Sequence, residues 1–222
     1  MPDNAAFLST KPKAVLFDWD NTLVDSWLPI HKALEETFLV MGRTPWTLEE
    51  TKERVRTSAR EAFPVLFPGR SDEAMSAFYD AYERSHIEVV TPLYGARELL
   101  DVLHQAGCLL GLVSNKKGDL LRKEVEALGW EGFFHSVVGA NDAAKDKPAR
   151  DVLELALQGT ALEPGQDVWF VGDTDIDMLC ASLHGCPSVL IRENEPREGE
   201  FANCWPDQWF SDCLSFSKGL KF

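Results

Sequence analysis

The chain predicts an α/β fold: a doubly wound parallel sheet with a helical insertion after its first strand. Three observations carry this reading. Short apolar runs alternate with amphipathic helical patterns from residue 92 onward, as buried parallel strands and their crossover helices do. The stretch from Ser26 to Thr91 shows helical spacing only. The informative polar residues each follow the end of an apolar run, which is where open α/β sheets form their sites.

Ala14 to Phe17 reads as the first buried strand. Side chains two apart in extended chain point the same way, so Asp18 and Asp20 face one site and Trp19 turns away. In the insertion, Ile30, Leu34, Phe38 and Met41 share a helix face, and so do Ala74, Phe78, Ala81, Tyr82 and Ser85. Pro45, Pro64, Pro68 and Gly69 punctuate it into about four short helices, with no convincing strand. Asp25-Ser26 marks the passage into it.

After Pro92, the face formed by Ala96, Leu99, Leu100 and Leu103 predicts a helix closed by Gly107. Cys108 to Val113 is a strand. Leu121, Val125 and Leu128 mark a helix ended by Gly129, and Ser136 to Val138 is a short strand. Val152 to Leu157 is helical, Val168 to Val171 a strand, Met178 to Leu183 helical, and Ser188 to Ile191 a fifth strand. Beyond Arg192, Trp205, Trp209, Phe210 and Phe216 predict a tail packed against the sheet edge. Residues 1–25 and 92–222 thus form the core, and 26–91 the insertion.

A chain of 222 residues, 45% hydrophobic and 26% charged, can bury a real core. Its formal charge of −14 predicts no nucleic-acid or anionic-membrane partner. A small anionic substrate stays possible, because a metal or a local lysine can dominate inside a cleft. No run approaches the roughly 18 apolar residues of a membrane span. Met1 to Lys13 lacks the pattern of a signal peptide. Five cysteines without a C-x-x-C pair predict reduced, mostly buried thiols in a cytoplasmic protein, not a disulfide framework or a zinc site.

In a parallel sheet the strand ends come together. Asp18 and Asp20, Ser114 and Asn115, Lys145 or Lys147, and Asp173 with Asp177 would then converge. Two carboxylates at about 4 Å repel by about 4 kcal/mol at an effective dielectric of about 20, and one lysine cannot offset several such pairs. A divalent cation can, and oxygen-only ligands favour Mg²⁺ over zinc. The lysine and the Ser114 hydroxyl are left to bind an anion. A metal, an anion binder and a nucleophilic carboxylate together suggest phosphoryl transfer through an acyl phosphate. Alone, Asp18-x-Asp20 could be a cap and a turn, and Ser114-Asn115 a strand-end turn; their convergence gives them weight. Asp175 reads as a solvated helix-start residue, and the five histidines have no ligand-like spacing.

Asp18-x-Asp20-x-Thr22, Ser114-Asn115, Lys147-Pro148 and Gly172-Asp173-x-x-x-Asp177 resemble, in order, the four motifs of the haloacid dehalogenase (HAD) superfamily. The resemblance covers about 1–25 and 92–192, and residues 26–91 look like the family's cap. The chain is similar to the phosphoglycolate phosphatase-like and β-phosphoglucomutase-like branch. The resemblance implies a Rossmann-like core and a Mg²⁺-dependent phosphatase acting on a small phosphorylated metabolite. Phosphoglycolate is the leading substrate it suggests. It makes Asp18 the nucleophile, and Asp20 the acid and base whose main-chain carbonyl also meets Mg²⁺. Asp173 becomes a metal ligand, and Asp177 acts on the metal through water or orients Lys147. Ser114, with the amides around Asn115, would bind the phosphoryl group, and Lys147 would neutralise it.

Three departures stand out. Asn21 replaces the family's usual glycine, and Asn is among the residues that tolerate left-handed backbone. Trp19 is bulky but should point to the core. Lys147 is preferred over Lys145, because Pro148 matches the family and is well placed to start a helix. In the cap, Arg54, Arg56 and Arg60 form either a solvated face or, with Arg60 first, a contact to the leaving group. A phosphomutase of the same fold is the alternative enzyme. A non-catalytic binding protein would be expected to have lost Asp18, Asp20 or Lys147. Monomer and homodimer are both open.

Overall fold

The computed structural model describes residues 10–55, 57–84, 90–201 and 204–222. Arg56, Ser85 and the first nine residues, which enter the sequence-based expectations, lie outside these.

Alternation along β1 (Ala14–Phe17) divides the core in two. Val15 and Phe17 pack with Leu99, Leu103, Leu121 and Phe216 on one face. Ala14 and Leu16 pack with Val152, Leu153, Phe170 and Cys180 on the other. All four strand residues are fully buried, as a central parallel strand requires.

β2 (Val24–Asp25) leads into the insertion and β3 (Thr91–Pro92) leads out, paired antiparallel. The sequence reading expected no strand as far as Thr91, and a two-residue pair is too short to show alternation. Between them lie α1 (Trp27–Val40), α2 (Leu48–Arg54), α3 (Ala59–Leu66) and α4 (Ser71–Glu83). Thr47 and Glu50 form a capping box on α2. Pro64 does not separate helices: it sits inside α3, removing one backbone donor without ending it. Leu34, Phe38, Phe63, Phe67 and Ala74 make the insertion's own core.

The chain then forms α5 (Ala96–Gln105), β4 (Leu109–Lys117), α6 (Gly118–Ala127), β5 (Ser136–Ala140), α7 (Arg150–Ala156), β6 (Val168–Gly172), α8 (Asp175–Leu183), β7 (Ser188–Ile191), β8 (Gln208–Phe210) and α9 (Cys213–Gly219). The six-stranded sheet runs β5-β4-β1-β6-β7-β8, with every pairing parallel. The chain winds outward from β1 through β4 to β5, then crosses over to β6 and winds the other way. β1 is therefore the switch point, with the ends of β4 and β6 beside it. Phe17 is level with Leu112 on one side and Val171 on the other.

Three elements differ from expectation. β4 continues four residues past Val113, so Ser114 to Lys117 are extended strand with a register irregularity, not a loop. The aromatic tail contributes a sixth strand, β8, beside β7, and its short Gln-Trp-Phe run gave no periodic signal. Helix α7 starts at Arg150, not at Pro148. Among the described residues no helix is long and apolar enough to cross a membrane.

Candidate active site

Asp18 leaves β1 still held to the sheet, its amide donating to the Val171 carbonyl at 2.8 Å. Trp19 turns to the other face and packs edge-on against Trp130, with ring centroids 5.8 Å apart. Asn21 takes a left-handed φ of 61°, the conformation for which the family uses glycine, and its side chain accepts from the Ser26 amide. The Asn substitution thus keeps the turn.

Lys147 is buried, and its ammonium donates to Asp18 Oδ1 and Asp177 Oδ1, both at 2.7 Å. Lys145 is exposed. The Asn115 side chain is spent on the main chain of Lys147: Oδ1 accepts from its amide at 3.0 Å, and Nδ2 donates to its carbonyl. Asp177 Oδ2 accepts from the Thr174 amide and hydroxyl in a capping box, so both its oxygens are engaged. Gly172 makes this approach possible, since a Cβ there would overlap the Asp177 side chain. Asp173 is buried and accepts from the Thr22 hydroxyl at 3.2 Å. Ser114 is buried beside them.

Asp20 has a separate partner. Lys116 Nζ lies 2.6 Å from Asp20 Oδ1 and 2.6 Å from Glu124 Oε2. Glu124, buried on α6, also accepts from Trp19 Nε1 at 2.7 Å and from Tyr82 of α4 at 3.0 Å. The sequence reading missed Lys116 and Glu124. Lys116 is two residues from Ser114 in extended chain and hence on its face, a signal lost when β4 was ended at Val113. A glutamate amid Leu120, Leu121 and Val125 was the other available flag.

Arg60 does not line the cavity at the carboxylates; Arg54 does. The Arg60 guanidinium forks onto Asp146, which also accepts from Ser58, so both insertion residues are tied to the loop just before Lys147.

Oxygens of Asp18, Asp173 and Asp177 lie within 4.8 Å of one another. Burial, opposed by Lys147 and reinforced by Asp177 and Asp20, pushes the Asp18 carboxyl up to about 7. Burial, with Asp177 and Asp18 adding to it, raises Asp173 well above the usual range. Burial would lower Lys147 and Lys116, but the carboxylates around each more than offset it and hold both charged. Ionised together, the three carboxylates would exceed the single charge of Lys147, which is why burial and mutual repulsion favour the protonated forms of Asp18 and Asp173. The cluster's donors are all oxygens, and a hard divalent cation such as Mg²⁺ fits them.

A Rossmann-like sheet, a helical insertion and a buried carboxylate–lysine cluster at the switch point define an α/β hydrolase. The profile of the haloacid dehalogenase-like hydrolases matches residues 15–191, and the chain belongs to that family. It is 30% identical over 196 residues to a phosphoglycolate phosphatase of Pseudomonas fluorescens, covering 83% of this chain and 71% of that one. It is 30% identical over 194 residues to the phosphoglycolate phosphatase of Xylella fastidiosa, covering 86% and 84%. A haloacid dehalogenase-like hydrolase from Streptococcus pneumoniae shares the fold with a TM-score of 0.82 at 24% identity, over 95% of this chain and 99% of that one. The enzyme is a phosphatase of this family, and its relatives imply a small phosphorylated substrate.

Proposed function

We propose that the enzyme hydrolyses a phosphomonoester through an aspartyl-phosphate on Asp18, with Mg²⁺ as cofactor. The observation that carries this is the pair of buried lysines, each holding one aspartate of the first loop. Lys147 fixes Asp18 by Oδ1, which leaves Oδ2 as the attacking oxygen. That oxygen forms a bond to phosphorus as the bond to the alcohol oxygen breaks. Asp20 gives the departing oxygen its proton. A water then attacks phosphorus, Asp20 takes the water's proton, and the bond to Asp18 breaks to release phosphate. Ser114 and the adjacent main-chain amides bind the phosphoryl oxygens, while Asn115 and Asp177 hold Lys147 in place. Asp18, Asp173 and the Asp20 carbonyl would hold Mg²⁺, with Asp177 near enough to act through water. When bound, the cation supplies positive charge to the transferring group.

The helices between Trp27 and Glu83 act in this reading as the cap that selects the alcohol. Phosphoglycolate is the first substrate to test, because the relatives carry that name. Release of inorganic phosphate from p-nitrophenyl phosphate and phosphoglycolate, with Mg²⁺ and with EDTA, tests the reading. No release from a broad phosphomonoester panel with Mg²⁺ would sink it. Isomerisation of a sugar phosphate without phosphate release would favour a mutase.

A further inference from the structure

The cavity that opens at Asp18, Ser114 and Asp173 runs between the helices of the insertion. Its far walls are Trp27 and Ile30 of α1, Trp46, Phe63 of α3, and Phe78 and Tyr79 of α4. Most of these side chains are only partly buried, with apolar surface left over after the insertion's own core is packed. The cavity, from the carboxylates to these walls, measures about 150 Å³.

Among the described residues, the cations along this wall are mostly spent. Lys147 and Lys116 are paired with the catalytic carboxylates and Glu124. Arg54 pairs with Glu50 at 2.8 Å and lies over the Trp46 ring. Arg60 is turned onto Asp146. Lys117 remains, its ammonium 5.0 Å from the centre of the Tyr79 ring. A second carboxylate on the substrate would lose its hydration against tryptophan and phenylalanine, with this one ammonium, among the described residues, left to replace it. An apolar ring entering the same space would gain.

We propose that the preferred substrate is a phosphomonoester of an alcohol bearing a single apolar or aromatic ring, not of an acid such as glycolate. This rests on the phosphatase reading above. The ring lies among Trp27, Trp46 and Phe78 while the phosphoryl group meets Asp18 and Ser114.

The test compares kcat/KM of the unmodified enzyme, with Mg²⁺, for benzyl phosphate, 2-phenylethyl phosphate, ethyl phosphate and phosphoglycolate. All four leave as primary alkoxides, so intrinsic reactivity is closely matched. We expect one of the ring substrates to exceed both ethyl phosphate and phosphoglycolate by about tenfold or more. Trp46→Ala should lower the benzyl-to-ethyl selectivity about tenfold. Ring substrates no better than ethyl phosphate overturn the inference while leaving the phosphatase intact. So does a tenfold preference for phosphoglycolate (about 1.4 kcal/mol), and loss of that preference in Lys117→Ala would identify the cation responsible. If none of the four, nor p-nitrophenyl phosphate, is hydrolysed, the phosphatase reading itself fails and takes this inference with it. The substrate panel needs no variant, so misfolding of Trp46→Ala does not blunt the test.

Discussion

The ammonium of Lys116 sits 2.6 Å from Oδ1 of Asp20, inside a pocket where that oxygen has no hydrogen bond of normal angle among the described residues. Asp18 has Lys147, and Asp20 has Lys116. The two aspartates of one short loop are thus held by different cations from different strand ends. Lys116 is anchored in turn by Glu124, and Glu124 by Trp19 and by Tyr82. Tyr82 belongs to α4 of the insertion, so the placement of Asp20 depends on where the insertion sits.

Lys116→Met should therefore lower kcat/KM by about 10²-fold, as a misplaced catalytic group does. The loss should be larger for alkyl phosphates, whose alkoxide needs a proton, than for p-nitrophenyl phosphate. Equal losses across leaving groups would argue against a link to Asp20.

Removing Glu124 is a stability experiment. Glu124→Ala strips Lys116, Trp19 and Tyr82 of a shared buried acceptor. Breaking a buried ion pair in this way costs about 3–5 kcal/mol. For a chain of this size that is a fall in Tm of roughly 6–20 °C, readable by calorimetry. Glu124→Gln, which keeps an acceptor, should lose less.

Asp18→Asn should reduce phosphate release by about four orders of magnitude or more while the fold survives. The substitution also removes a charge from a crowded cluster, so the metal-free variant should be at least as stable as the parent. Retained activity would remove Asp18 as nucleophile.

Mg²⁺ affinity should rise with pH. Asp18 titrates at about 7 in the folded protein against an ordinary 3.8, because burial favours its neutral form. The cation needs the carboxylate, so below pH 7 binding should weaken by about tenfold per unit or more, the raised Asp173 adding to the same trend. The sign for stability is opposite. The metal-free fold binds this proton more tightly than the unfolded chain, so its Tm should fall as pH rises from about 4 to about 7. Calorimetry at pH 5 and pH 8, with and without Mg²⁺, checks both.

The cysteines should be silent. All five are buried, and burial pushes the Cys180 and Cys213 thiols up to about 12. A thiol reagent at pH 8 should label them only on unfolding. Rapid labelling of the native protein would contradict the packing.

By itself the sequence determined the α/β class and the central strand, and it singled out a helical segment after Asp25 and the residues Asp18, Asp20, Ser114, Lys147, Asp173 and Asp177. Those signals are local: apolar runs and their period, and polar residues at the point where a run ends. Asn21 was legible for the same reason, since its left-handed backbone is a property of one residue. What only the tertiary structure decided is which charges meet. Arg60 reads in sequence as one of three neighbouring arginines of the insertion, and only packing shows that α3 delivers its guanidinium to Asp146. Asn115 reads in sequence as a neighbour of Ser114 whose amide serves the phosphoryl group, and only packing shows that its side chain reaches across to Lys147, 32 residues away in the chain. Lys116 and Glu124 gave no motif, because their pairing exists only once β4 runs on to Lys117 and α6 folds back beside it. Ion pairs fall off with distance in space, and distance in space between remote residues is set by packing, not by spacing along the chain.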